Sequence, residues 1–159
     1  MDKNQLFIKM TLQGWEIYIK RADDFFKSRS EDQFSKEIAP GRNTGIYLFG
    51  HLIIVHDKML PSLGLGEMLY PQLEKPFLST PDKSGSEFPP LKELMECWNK
   101  VNKKLEEGFS AMPEEGWFQR HSLVSEEDFA KEPYRNKLNL VLNRTNHIAY
   151  HLGQLRLQK

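Results

Sequence analysis

Three histidines on two helical segments are the residues of this chain best suited to chemistry. His147 and His151 stand four apart in His147-Ile148-Ala149-Tyr150-His151. On an α-helix, positions i and i+4 lie about 40° apart around the axis, one turn above the other. Two imidazoles so placed can share one metal ion with little backbone adjustment. The same spacing also serves two hydrogen-bonded surface histidines, so the pair alone leaves both readings open. At about 100° per residue, both fall on the flank of their helix's apolar arc, toward a groove or a second surface. His51 lies within a segment that is apolar on nearly every side, with Tyr47 one turn before it and Val55 one turn after. A histidine buried there needs a partner for each ring nitrogen, or loses of order 1–3 kcal/mol to desolvation. A metal on one nitrogen and a carbonyl or carboxylate on the other would satisfy it. His56 is about 140° further round the same helix and cannot share that site. His121 lies in an irregular segment and is expected to be solvated.

Three neutral imidazoles with room for water describe a catalytic metal site, not a closed structural one. Such an ion lowers the pKa of a bound water or thiol, or polarises a carbonyl. The zinc-protease pattern H-E-x-x-H is absent, because Ile148, Ala149 and Tyr150 between the two histidines supply no glutamate. Tyr47, Asn143, Arg144 and Gln154 project near the expected site and are candidates for lining a substrate groove. Arg144 can hold a substrate carboxylate or make a surface ion pair. Gln154 can orient a ligand histidine or pack helix ends. Cys97 reads as a small buried apolar residue, and Trp15, Trp98 and the phenylalanines as core.

Helices must position these groups. From Leu6 to Phe26 the apolar residues Ile8, Leu12, Trp15, Ile19, Ala22 and Phe26 recur at steps of three and four, the stripe of an amphipathic helix. A short helical piece is expected at Ser30 to Ile38, with Ser30 as its N-cap. After the Pro40-Gly41 turn, Asn43 or Thr44 can cap a second long helix ending near Pro61. Its apolar residues cover nearly all directions, so it should be central. Residues 61–90 hold six of the nine prolines and form a long crossover, with a helical turn expected at Glu67 to Leu73. A third helix runs from Leu91 to Gly108 with Leu94, Met95, Trp98, Val101 and Leu105 on its stripe. Residues 111–133 read as irregular. The fourth helix runs from about Tyr134 to Leu157, with Leu138, Val141, Leu142, Thr145, Ile148, Leu152 and Leu155 on one side. Four long helical patterns without a hairpin signal predict an all-α single domain over 1–159, a four-helix bundle with a long crossover between helices 2 and 3.

Composition narrows the function classes. The 159 residues carry 22 Lys+Arg against 22 Asp+Glu. That balance argues against nucleic acid, which needs a basic face, and Lys103-Lys104 is answered at once by Glu106-Glu107. The longest mostly apolar run, Ile46 to Val55, is ten residues, whereas a membrane-spanning helix needs about 20. No signal peptide is visible, and a single cysteine permits no disulfide within the chain. The expectation is a soluble cytoplasmic domain.

Two segments carry a resemblance. Asn43-Thr44-Gly45-Ile46-Tyr47-Leu48-Phe49-Gly50-His51-Leu52 and Asn143-Arg144-Thr145-Asn146-His147-Ile148-Ala149-Tyr150-His151-Leu152-Gly153-Gln154-Leu155 resemble the signature helices of the DinB-like (YfiT-type) superfamily. Its pattern is a histidine after glycine on the second helix, and H-x-x-x-H followed by Gly-Gln on the fourth. The resemblance implies an up-down-down-up bundle and a divalent ion, zinc or nickel, on His51, His147 and His151. It also implies a homodimer, and a small-molecule substrate together with a low-molecular-weight thiol such as bacillithiol or mycothiol. Thiol S-transfer is the leading activity so implied. Metal-dependent hydrolysis and a non-catalytic binding module are the alternatives.

Overall fold

The structure, a computed structural model, describes residues 1–158. Among these the chain is all-α, with only two isolated bridges, Glu37 to Thr44 and Arg120 to Asn136, outside helical structure. Helix α1 spans Lys3–Lys27 and opens on a reciprocal cap, in which the Asp2 carboxylate accepts the Gln5 N–H and the Gln5 side chain accepts the Asp2 N–H. The short α2, Glu31–Phe34, is capped the same way by Ser30 and Gln33. Thr44 caps α3, Gly45–Asp57, and α4, Met59–Leu63, follows directly. A 3-10 turn at Pro71–Leu73 and a π turn at Lys75–Ser79 lead to α5, Leu91–Ala111. Two short helices, α6 at Glu114–Trp117 and α7 at Glu126–Lys131, precede α8, Lys137–Leu155, which Asn136 caps.

Side-chain contacts fix the directions of the four long helices. Asp23 of α1 accepts the Trp98 indole N–H of α5 at 2.6 Å, while Trp15 meets Phe109, so α1 and α5 run in opposite senses. Phe49 meets Trp98 and His56 meets Asn102, so α3 runs with α5. Gly45 lies against Gln158 and His51 against His147 and His151, so α8 runs against α3 and with α1. Helix α3 is central, as its all-round apolar character requires: every residue in it except Ile46 and His51 is buried. The aromatic rings of Phe26, Phe34, Phe49 and Trp98 interlock around it.

Several boundaries differ from the sequence reading. The chain passes through Pro61 without stopping, because Pro61 lies in the first turn of α4, where its missing N–H has no helical partner to lose. Gly64, at φ 73°, ends α4 instead. Helix α5 continues past Gly108 to Ala111, and residues 111–133 contain α6 and α7. The helical turn of the crossover begins at Pro71, later than Glu67. Leu142 is 46% exposed, outside the core stripe of α8.

The crossover after α4 is clamped to α3 at three points. The buried Asp57 carboxylate accepts the N–H groups of Leu69 and Tyr70 at 2.8 and 2.7 Å. Asp82 accepts the Thr44 N–H and hydroxyl at 2.6 and 2.9 Å. Between them, the fully buried Phe77 ring lies directly on Gly50, where a Cβ would stand 2.3 Å from two ring carbons. Only glycine permits that approach. We expect Gly50→Ala to lower stability by about 1–3 kcal/mol through overpacking. Urea unfolding of the variant beside the parent checks this, and an unchanged midpoint would contradict it.

Candidate metal centre

His51 projects from α3 toward α8, and its Nδ1 lies 3.0 Å from the Phe77 carbonyl oxygen. A carbonyl can only accept, so His51 carries its proton on Nδ1 and presents a bare Nε2. The Gly50 contact that seats Phe77 therefore also sets the tautomer of the next residue. His151 is oriented in the same manner, donating from Nδ1 to the Gln154 Oε1 at 2.7 Å, while the Gln154 amide donates to the Tyr150 hydroxyl at 3.1 Å. Its Nε2 is likewise bare.

The Nε2 of His147 stands between them, 3.3 Å from the Nε2 of His51 and 3.0 Å from that of His151. No two of the three donor atoms are more than 4.8 Å apart. One proton on His147 Nε2 can serve one neighbour well and not both, and it would leave the buried His147 Nδ1 as an acceptor with no donor. With the proton on Nδ1 instead, three lone pairs face one another. Among the described residues, Nδ1 has no hydrogen-bond partner in either case. A cation at the centre would take all three lone pairs. Nitrogens held by one tetrahedral zinc at about 2.0–2.1 Å stand about 3.3–3.4 Å apart, within a few tenths of the two spacings from His147. The donor set therefore fits a divalent ion, and three histidines close together can bind one.

Protonation favours the same state. Burial holds the imidazole of His51 below the ordinary histidine range, partly offset by the Phe77 carbonyl, and Arg144 lowers it further. Burial does the same at His151, partly offset by Gln154. For His147, burial and then the neighbouring His151, His51 and Arg144 bring the pKa to about 4. All three are neutral near pH 7, the form that ligates metal.

A cavity of 290 Å³ opens beside the cluster, with His51, His147 and Arg144 in its wall and Val55, Met59 and Leu140 as apolar lining. Among the described residues, no aspartate or glutamate lines it. Two larger grooves, of 530 and 520 Å³, run along α1 and contain no histidine in their walls.

Of the four residues expected to line a groove, only Arg144 reaches this cavity. Tyr47 is buried, its hydroxyl donating to the Thr80 carbonyl at 3.0 Å and its ring against Phe77 and Phe88, because the crossover covers it. Asn143 is exposed on the outer side of α8. Gln154 acts on His151 from outside the cavity. His121 is buried, contrary to the solvated expectation, because Ser122 donates its N–H to the Ser62 carbonyl and draws the segment onto the end of α4. His56 is a separate core histidine between the rings of Trp15 and Trp98, with Nδ1 donating to the Asn102 Oδ1 at 2.9 Å and a pKa pushed by burial to about 3. The partners of these histidines, Phe77 and Asn102, were not legible beforehand. For Phe77 the one local signal is the glycine before His51.

In the metal-free protein His147 should stay neutral down to about pH 4. Its folded-state pKa lies below the unfolded value of about 6.5, so the unfolded chain binds protons first as pH falls. Stability is thus level above pH 7 and declines as pH drops from about 6.5 toward 4. Histidine Cε1–H chemical shifts and unfolding midpoints across that range test this. A His147 titration midpoint near 6.5 would contradict it. No known protein family matches the chain, and no curated protein matches it.

Proposed function

We propose that this chain is a DinB-like metalloprotein holding one divalent ion, zinc or nickel, on His51, His147 and His151. We further propose that it joins the thiolate of a low-molecular-weight thiol to a small electrophile. The observation that carries the metal reading is the convergence of three Nε2 atoms, two of them fixed as bare acceptors by Phe77 and Gln154. The family reading is supported by Gly50-His51 on α3 and His147-x-x-x-His151 with Gly153-Gln154 on α8, in that order along the chain.

When bound, a divalent ion at such a centre acidifies a thiol or water and polarises a carbonyl. The residues of the chain supply the rest. Gln154 and the Phe77 carbonyl hold two imidazoles in one tautomer, so no proton must leave Nε2 on ligation. Val55, Met59 and Leu140 make one part of the cavity wall apolar, which favours an apolar body on the electrophile there. The lack of an acidic side chain in that wall favours thiol transfer over a hydrolysis needing a carboxylate general base. In such a transfer the new S–C bond forms as the leaving group departs with its electron pair, and the thiol proton passes to solvent.

Among the described residues, no helix is long and apolar enough to cross a membrane. The unpaired, buried Cys97 suits the reducing cytoplasm we propose as its location. A homodimer would cover apolar side chains that α1 leaves exposed, Phe7, Met10 and Ile17.

Elemental analysis of protein purified without chelators should find near one equivalent of zinc or nickel in the parent. His147→Ala should hold none while keeping its helical circular dichroism. In cobalt-substituted protein, a small thiol should shift the visible absorption. Metal retained by the variant would overturn the ligand assignment, and a cobalt spectrum indifferent to thiol would overturn the transferase reading.

A further inference from the structure

We infer that the cavity beside the three histidines takes a small monocarboxylate with an apolar body, its carboxylate gripped by Arg144. Arg144 precedes His147 by three residues on α8 and so projects on the same side, into the cavity that His51 and His147 also line. Among the described residues no carboxylate pairs with it. Its Nε is buried and has no hydrogen-bond partner among the described residues. The other cation in the cavity wall, Lys58, is already answered by Glu74 at 2.6 Å. A half-buried guanidinium without a counter-anion is an unfavourable arrangement unless something else supplies the anion.

The character of the missing partner follows from the surroundings. One unanswered cation calls for one negative charge, and the planar fork of arginine matches the two oxygens of a carboxylate. With Lys58 held by Glu74 and the Ser62 hydroxyl donating to the Lys58 carbonyl at 2.7 Å, the rest of the wall away from the histidines is Val55, Met59, Leu78, Leu123 and Leu140, so the remainder of the ligand is apolar. At 290 Å³ the space is at the small end of ligand pockets, which run from about 300 Å³ upward. The proposal deepens the functional reading above and rests on it for what reacts next to the carboxylate holder. The anion contact itself does not require the ion.

Calorimetric titration with phenylacetate and its neutral counterpart phenylacetamide tests this, in metal-free and zinc-loaded protein. The parent should bind the acid at least about tenfold more tightly than the amide in both states. Arg144→Gln should abolish that preference while leaving zinc stoichiometry and helical content unchanged. Arg144→Lys, which keeps the charge and loses the fork, should retain part of it and serves as the deciding variant if the glutamine protein folds poorly. Equal or absent binding of acid and amide by the parent would overturn the proposal. So would a preference that survives in Arg144→Gln, since the carboxylate would then be held elsewhere. If the parent binds no zinc, the metal reading fails, and the metal-free titrations still decide the role of Arg144.

Discussion

A buried histidine has two ring nitrogens to satisfy, and at His51 one of them is settled by the backbone carbonyl of Phe77. That bond exists because the Phe77 ring can approach α3 closely at Gly50, where no side chain intervenes. Asp57 and Asp82 hold the crossover at either end of α3, so the segment bearing Phe77 has little freedom to choose another register. What the crossover delivers to the centre is a carbonyl oxygen, and with it the direction in which His51 points its remaining lone pair.

The second consequence is electrostatic. Two imidazoles with fixed bare nitrogens flank a third at hydrogen-bond distance, and a single proton cannot satisfy all of them. Burial discourages protonation of all three, and the nearby Arg144 guanidinium adds to this at His51 and His147. Where the cluster has lone pairs to spare, the adjoining cavity has positive charge to spare, because nothing acidic lines it. A small divalent cation at the nitrogens and an anion at Arg144 would be complementary to these two excesses and would sit side by side.

Much of this was legible in the sequence, for identifiable reasons. The histidine pair was readable because i and i+4 spacing fixes geometry within one helix. His51 was readable because a lone polar residue in an all-apolar segment needs a partner. The need for an acceptor on its second nitrogen, a carbonyl or a carboxylate, followed from the chemistry of imidazole. Which carbonyl did not, since Phe77 is 26 residues away and comes into place only through the packing of an irregular crossover. Tyr47 was misplaced for the same reason: helical phase says which way a side chain leaves its helix, and the crossover decides what covers it. Asn143, one turn before His147, stays exposed and outside the cavity. His121 turned out buried because a single backbone bond to Ser62 draws its loop onto α4, and loop docking leaves no periodic trace. Pro61 misled because a proline in the first turn of a new helix resembles one that ends the old.

X-ray absorption spectroscopy of the zinc-loaded protein tests the central claim most directly. The account predicts a first shell containing three imidazole nitrogens at about 2.0–2.1 Å, with the outer-ring scattering that imidazoles give. A shell of water oxygens alone, or one containing the sulfur of Cys97, would place the ion elsewhere and contradict it.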